Sequence, residues 1–168
     1  RICGEFFSCG QAKRKRKWPI AFHESFQIIR SKTMPGFIDG IIAEYKHECT
    51  TTRKFLERLP DELPEWAPHP KSMTMRRLAV HVAEIPGWAK ETWSLTEFLI
   101  YSATFKPNEI ATREELLTFF DEKVAAGLDA MKSVKDSDFM TTWTMKWDDN
   151  VVVSMPKIAV MRGFVLSH

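Results

Sequence analysis

The chain has 168 residues, 44% apolar and 27% charged, which is enough for one domain with a substantial buried core and ordinary for a globular protein. Its longest apolar runs fall far short of the roughly 18 residues that span a bilayer, and no segment has the layout of a signal peptide. No membrane partner is expected, and a cytoplasmic location is. The net charge of +2 conceals an asymmetry: residues 1–33 hold 8 Lys/Arg against Glu5 and Glu24, while residues 34–168 hold 16 Lys/Arg against 20 Asp/Glu. The body of the chain is mildly acidic, so nucleic acid is not expected as its partner.

Residues 1–33 read as a basic leader outside the fold. They carry the run Lys13-Arg14-Lys15-Arg16-Lys17 and no sustained hydrophobic period. Met34-Pro35-Gly36 looks like a natural start, so the leader reads as upstream translation or an expression leftover. A basic arm or nuclear address is the alternative. Cys3, Cys9 and Cys49 are too few, and odd in number, for a disulfide framework. Cys49 lies on an apolar helical stripe and reads as a buried thiol rather than a nucleophile.

The first helix is predicted from Phe37 to Leu59. Ile38, Ile41, Ile42, Tyr45, Cys49, Thr52, Phe55, Leu56 and Leu59 recur at three- and four-residue intervals as one buried stripe, and Pro60 ends it. Residues 60–73 form a proline-punctuated connection. The second helix starts at Thr74 as N-cap, with Met75, Leu78, Val82 and Ile85 inward and His81 beside them. Pro86-Gly87 should kink it, and Trp88 and Trp93 suggest a bent continuation to Ser94. A short segment at Leu95–Tyr101 and a loop at Lys106-Pro107-Asn108 follow.

Thr112 and Glu115 have capping-box spacing. They open a third long helix carrying Leu116, Leu117, Phe120, Val124, Leu128 and Met131, which should end near Lys132-Ser133. Trp143–Trp147 and Val151–Val153 flank the polar turn Asp148-Asp149-Asn150 and read as a hairpin, with the two aspartates as turn residues. Pro156 then sits in the first turn of a last helix. Ile158, Met161, Phe164, Val165 and His168 line one face of it, and the chain stops there in mid-face. The expected fold is all-α: a four-helix bundle with a small β-hairpin before the last helix.

The sequence contains no G-x-S-x-G elbow, phosphate-binding glycine loop or H-E-x-x-H pair. The informative residues are histidines on apolar faces. His81 lies among Leu78, Val82 and Ile85, and His168 lies one turn after Phe164. Two inward imidazoles suit a divalent transition metal, although a satisfied core histidine is the commoner outcome of such spacing. His47 lies between charged residues, His69 lies in the proline-rich connection, and His23 lies in the leader. None of these three is expected to be a ligand. Trp88 and Trp143 are candidate pocket residues, with core packing the simpler reading.

The segment Lys71–Trp88 (KSMTMRRLAVHVAEIPGW) and the segment Ser154–His168 (SMPKIAVMRGFVLSH) resemble the second- and last-helix signatures of the DinB-like family of metal-dependent enzymes. The resemblance covers residues 34–168. It implies an up-down-down-up arrangement of the four helices, often a homodimer, and a metal held by three histidines. His81 matches the first ligand and His168 the second. The family's last helix runs on through Asn-His-x-x-His-His-x-Gly-Gln, so the third ligand would fall four residues beyond His168. Ser167 stands where Asn is usual.

The reading is thus of a C-terminally incomplete chain with an incomplete metal site. Zinc or nickel would be the metal, and a low-molecular-weight thiol a possible cofactor. The reaction implied is a thiol-dependent S-transfer or a hydrolysis on a small-molecule substrate; characterised relatives include thiol-dependent S-transferases and a mycothiol-dependent maleylpyruvate isomerase. A non-catalytic helical binding protein or an inactive fragment is the alternative.

Overall fold

The computed structural model describes residues 36–168. The leader, with Cys3, Cys9 and His23, lies outside the described residues. In chain order the elements are helix α1 (Phe37–Leu56), helix α2 (Met75–Glu84), a 3-10 turn (Ile85–Gly87), helix α3 (Trp88–Ser94), strand β1 (Glu97–Ile100), helix α4 (Arg113–Met131), strands β2 (Thr142–Trp147) and β3 (Asn150–Pro156), and helix α5 (Lys157–Val160), which runs into a π-helical turn (Met161–Leu166). Among the described residues, no helix is long and apolar enough to cross a membrane.

Local chemistry sets the helix starts. The Thr74 hydroxyl accepts from the Arg77 N–H and opens α2. At α4, Thr112 accepts from the Glu115 N–H while the Glu115 carboxylate accepts from Ala111 and Thr112. Those backbone donors hold the Glu115 carboxyl below its ordinary pKa. Pro86 has no N–H to donate, and the chain there tightens into the 3-10 turn before continuing as α3. α1 stops at Leu56 rather than Leu59, a few residues before Pro60.

The core lies between α1, the α2–α3 corner and α4. Tyr45, Val80, Ala83, Ala89, Leu116, Phe120, Met131 and Met161 are all at most 1% exposed. Removing a large apolar side chain of this kind from water contributes about 1.5–3 kcal/mol. The face of α2 that its large residues predict is buried only in part: Ile85 is buried and Val82 packs against the core. Ala79, Val80 and Ala83 face the core, whereas Leu78 is 52% exposed. Small residues let α2 approach its neighbours closely, and Leu78, His81, Val82 and Ile85 are left lining a cleft.

The all-α expectation is overturned, because the described residues contain a three-stranded mixed sheet of order β1-β2-β3. β2 and β3 form the expected antiparallel hairpin, and β1 pairs parallel with β2, Glu97 opposite Thr144 through Ile100 opposite Trp147. α4 lies in the connection between the parallel strands, as such a crossover requires. The physical reason is that the hairpin leaves one edge of β2 with free backbone groups. Residues 95–101 meet that edge: Thr144 N–H donates to the Thr96 carbonyl (2.9 Å) and Asp148 N–H to the Ile100 carbonyl (2.7 Å). Lys146 and Glu97 add an ion pair at 2.7 Å. Four residues are too few to show a strand period on their own.

The hairpin turn has two residues, not three, since Asn150 already pairs with Trp147. Asp148 takes the left-handed conformation (φ 53°) that aspartate tolerates better than most residues, and its Oδ1 accepts from the Ser102 N–H at 2.9 Å. The two aspartates are turn residues, as predicted. Pro156 ends β3 and caps α5 instead of lying within its first turn.

Candidate metal centre

α2 and the end of α5 bring His81 and His168 together. Their Nε2 atoms are 3.3 Å apart and their ring centroids 5.2 Å. His168 does not sit on a helical face as predicted. The widened π turn at Met161–Leu166 shifts the phase of the last helix, Ser167 leaves helical geometry, and His168 follows it. The ring still reaches His81. Trp88 stands edge-on to both imidazoles, at 5.6 Å from His81 and 5.3 Å from His168, so it belongs to the site. Trp143 instead packs in the sheet, stacked on Phe98, and donates its N–H to the Glu91 carbonyl at 3.2 Å.

The two imidazoles open onto a cleft of about 340 Å³ whose other walls include Tyr45, Cys49 and Thr52 of α1, Leu78 and Val82 of α2, and Val165 and Leu166. Burial pushes the Cys49 thiol up to about 11, and Glu48 adds to the shift. The thiol is therefore protonated at neutral pH and fits the predicted buried role. Burial also raises the Tyr45 phenol well above its ordinary range, helped by Cys49. Tyr45 acts as a donor, to the Pro86 carbonyl at 3.0 Å.

The donor set passes a simple test of fit. Two nitrogens bound to a tetrahedral zinc at about 2.0–2.1 Å each stand about 3.4 Å apart. The observed 3.3 Å also suits an N–H···N hydrogen bond between neutral rings. Among the described residues no group of three or more His, Cys, Asp or Glu side chains is placed to hold a metal ion. His47 is exposed on α1, and His69 is exposed with its Nδ1 accepting from the Lys71 N–H at 3.1 Å. Neither joins the pair.

Sequence reasoning missed Glu84. Its Oε2 lies 3.5 Å from His81 Nδ1, and its Oε1 accepts from Asn108 Nδ2 at 2.8 Å. The three-residue step from His81 to Glu84 puts both on one side of α2 and was a readable signal. The contact with Asn108 was not readable, because it joins distant parts of the chain.

His168 is an exposed residue, but partial desolvation of its ring lowers its pKa below the ordinary histidine value, and the adjacent His81 lowers it further. A depressed pKa means that the folded state favours the neutral ring. The contact's contribution is therefore present above about pH 6.5 and is lost as pH falls through the lowered value. In NMR titrations the His168 ring resonances should show a midpoint below 6.5 and lose their contacts to Trp88 on acidification. A midpoint at or above 6.5 would contradict this account.

No protein-family model matches the chain, and a search of curated proteins finds no match.

Proposed function

We propose that this chain is a metal-dependent enzyme of the DinB-like class, acting on a small molecule, with His81 and His168 as two ligands of a divalent transition metal, zinc or nickel. The observation that carries the reading is the 3.3 Å approach of two Nε2 atoms from residues 87 apart in sequence. The two signature-like segments at 71–88 and 154–168 are the second support. A metal on imidazoles with open positions would lower the pKa of a bound water or thiol and so supply a nucleophile near neutral pH. In this reading His81 and His168 bind and orient, Trp88 confines their rings, and the cleft receives the substrate. A low-molecular-weight thiol cofactor, S-transfer or hydrolysis, a homodimer and a cytoplasmic location belong to the same proposal.

The test is metal titration by calorimetry, using zinc and nickel. It uses the chain as written and a form extended by one helical turn, with histidine at the fourth added position. The extended form should bind one ion per chain, and His81→Ala or His168→Ala should each weaken binding more than tenfold. An extended form that binds no metal, or one whose affinity survives His81→Ala, would sink the proposal.

A further inference from the structure

We infer that Glu84 positions His81: its carboxylate holds the proton on His81 Nδ1 and leaves the Nε2 lone pair facing His168. Glu84 is well placed for this. Its side chain is only 15% exposed. Its Oε1 takes the Asn108 amide at 2.8 Å and has Arg77 Nη1 at 3.5 Å. The remaining oxygen, Oε2, is the one directed at His81 Nδ1, at 3.5 Å. At 3.5 Å the contact is longer than a hydrogen bond, but a carboxylate only accepts, so its charge favours hydrogen on the facing ring nitrogen.

The other face of the ring tells the same story. With hydrogen on Nδ1, His81 Nε2 is an acceptor. It can take either an N–H from His168, at the observed 3.3 Å, or a metal ion. Trp88, edge-on to both rings, opposes a ring flip that would exchange the two nitrogens. A carboxylate on the far nitrogen of a ligating histidine fixes its tautomer and raises its basicity. The metal part of this inference rests on the proposed role of His81, whereas the tautomer does not.

The tautomer can therefore be read without metal, by long-range proton–nitrogen NMR of the chain at pH 8. Wild type should show His81 as the Nδ1–H form. Glu84→Ala should move it toward the Nε2–H form. In the extended form, the same substitution should weaken cobalt(II) binding about tenfold, at the lower end of what loss of such a partner costs.

Glu84→Gln keeps the shape and the acceptor for Asn108, and covers the case in which the alanine variant does not fold. With its single oxygen kept on Asn108, the amide NH2 takes the place of Oε2 beside His81 Nδ1 and cannot accept its hydrogen, so a shift toward the Nε2–H form and an affinity loss of about tenfold are expected here too. If His81 keeps its tautomer in the folded variants while metal still binds through His81, this inference is overturned and the proposed function stands. If wild type shows the Nδ1–H form but the extended form binds no metal, the function fails and the positioning role of Glu84 survives.

Discussion

Gly127→Ala should destabilise the protein by about 2–4 kcal/mol, although helix propensity alone predicts a gain of about 1 kcal/mol for replacing a mid-helix glycine. Gly127 lies within α4 and is buried. A methyl group there would sit 3.0 Å from the Pro86 carbonyl oxygen and 3.1 Å from Tyr45 Cζ, and closer still to the Tyr45 hydroxyl. None of these atoms can swing away. One is backbone at the α2–α3 corner, and the other two belong to a ring 1% exposed. Overpacking of this kind costs about 1–3 kcal/mol. Disturbing the buried Tyr45–Pro86 hydrogen bond adds about 1–3 kcal/mol. Both terms oppose the propensity gain, and together they exceed it.

Urea unfolding would read the change as a lower midpoint at unchanged slope. Tyr45→Phe removes the oxygen nearest the new methyl. The double variant Tyr45→Phe/Gly127→Ala should therefore be less destabilised than the sum of the single variants, by about 1–2 kcal/mol. A neutral or stabilising Gly127→Ala would refute the close-packing account, and strict additivity would place the strain elsewhere.

The second large effect separates two phenylalanines that look alike in sequence. Each falls at helical spacing within an apolar stripe. Phe120 on α4 is 1% exposed, whereas Phe55 on α1 is 64% exposed. Phe120→Ala should cost about 3–5 kcal/mol through lost burial and the cavity left behind. Phe55→Ala should change stability by no more than about 0.5 kcal/mol, because its main partner is the Arg58 guanidinium 5.8 Å above the ring, a solvent-exposed contact. Paired denaturation curves would settle the contrast. Equal losses at the two sites would mean that the far end of α1 is covered in solution.

Signals that act within one turn of chain were legible in advance. The Thr74 cap, the Thr112–Glu115 box, the corner at Pro86-Gly87 and the hairpin between Trp143 and Val153 all follow from stereochemistry among neighbours, and all appear. The stripe on α1 was legible only in part. Ile41, Tyr45, Cys49 and Leu56 are buried, but Phe55 is not, because periodicity marks a face and does not say how far along the helix a neighbour extends. α2 shows the same limit more sharply. Of the large residues named for its inner face, Ile85 is buried and Val82 packs against the core, but Leu78 is left exposed while Ala79 and Ala83 are buried.

The candidate site divides along the same line. An imidazole at 81 on an apolar turn, and another at 168 after an apolar stripe, could be read from spacing, and a family likeness could pair them. The 3.3 Å meeting of their nitrogens, the Trp88 ring edge-on beside both and the Glu84 carboxylate behind His81 depend on where separate elements come to rest. So does the addition of β1 to the hairpin, which turned an expected all-α chain into one with a mixed sheet. By itself the sequence determined caps, corners and turns, whose energies lie between residues a few positions apart. Pairing across dozens of residues is selected by burial and by the need to satisfy backbone edges, and those quantities exist only once the whole chain has packed.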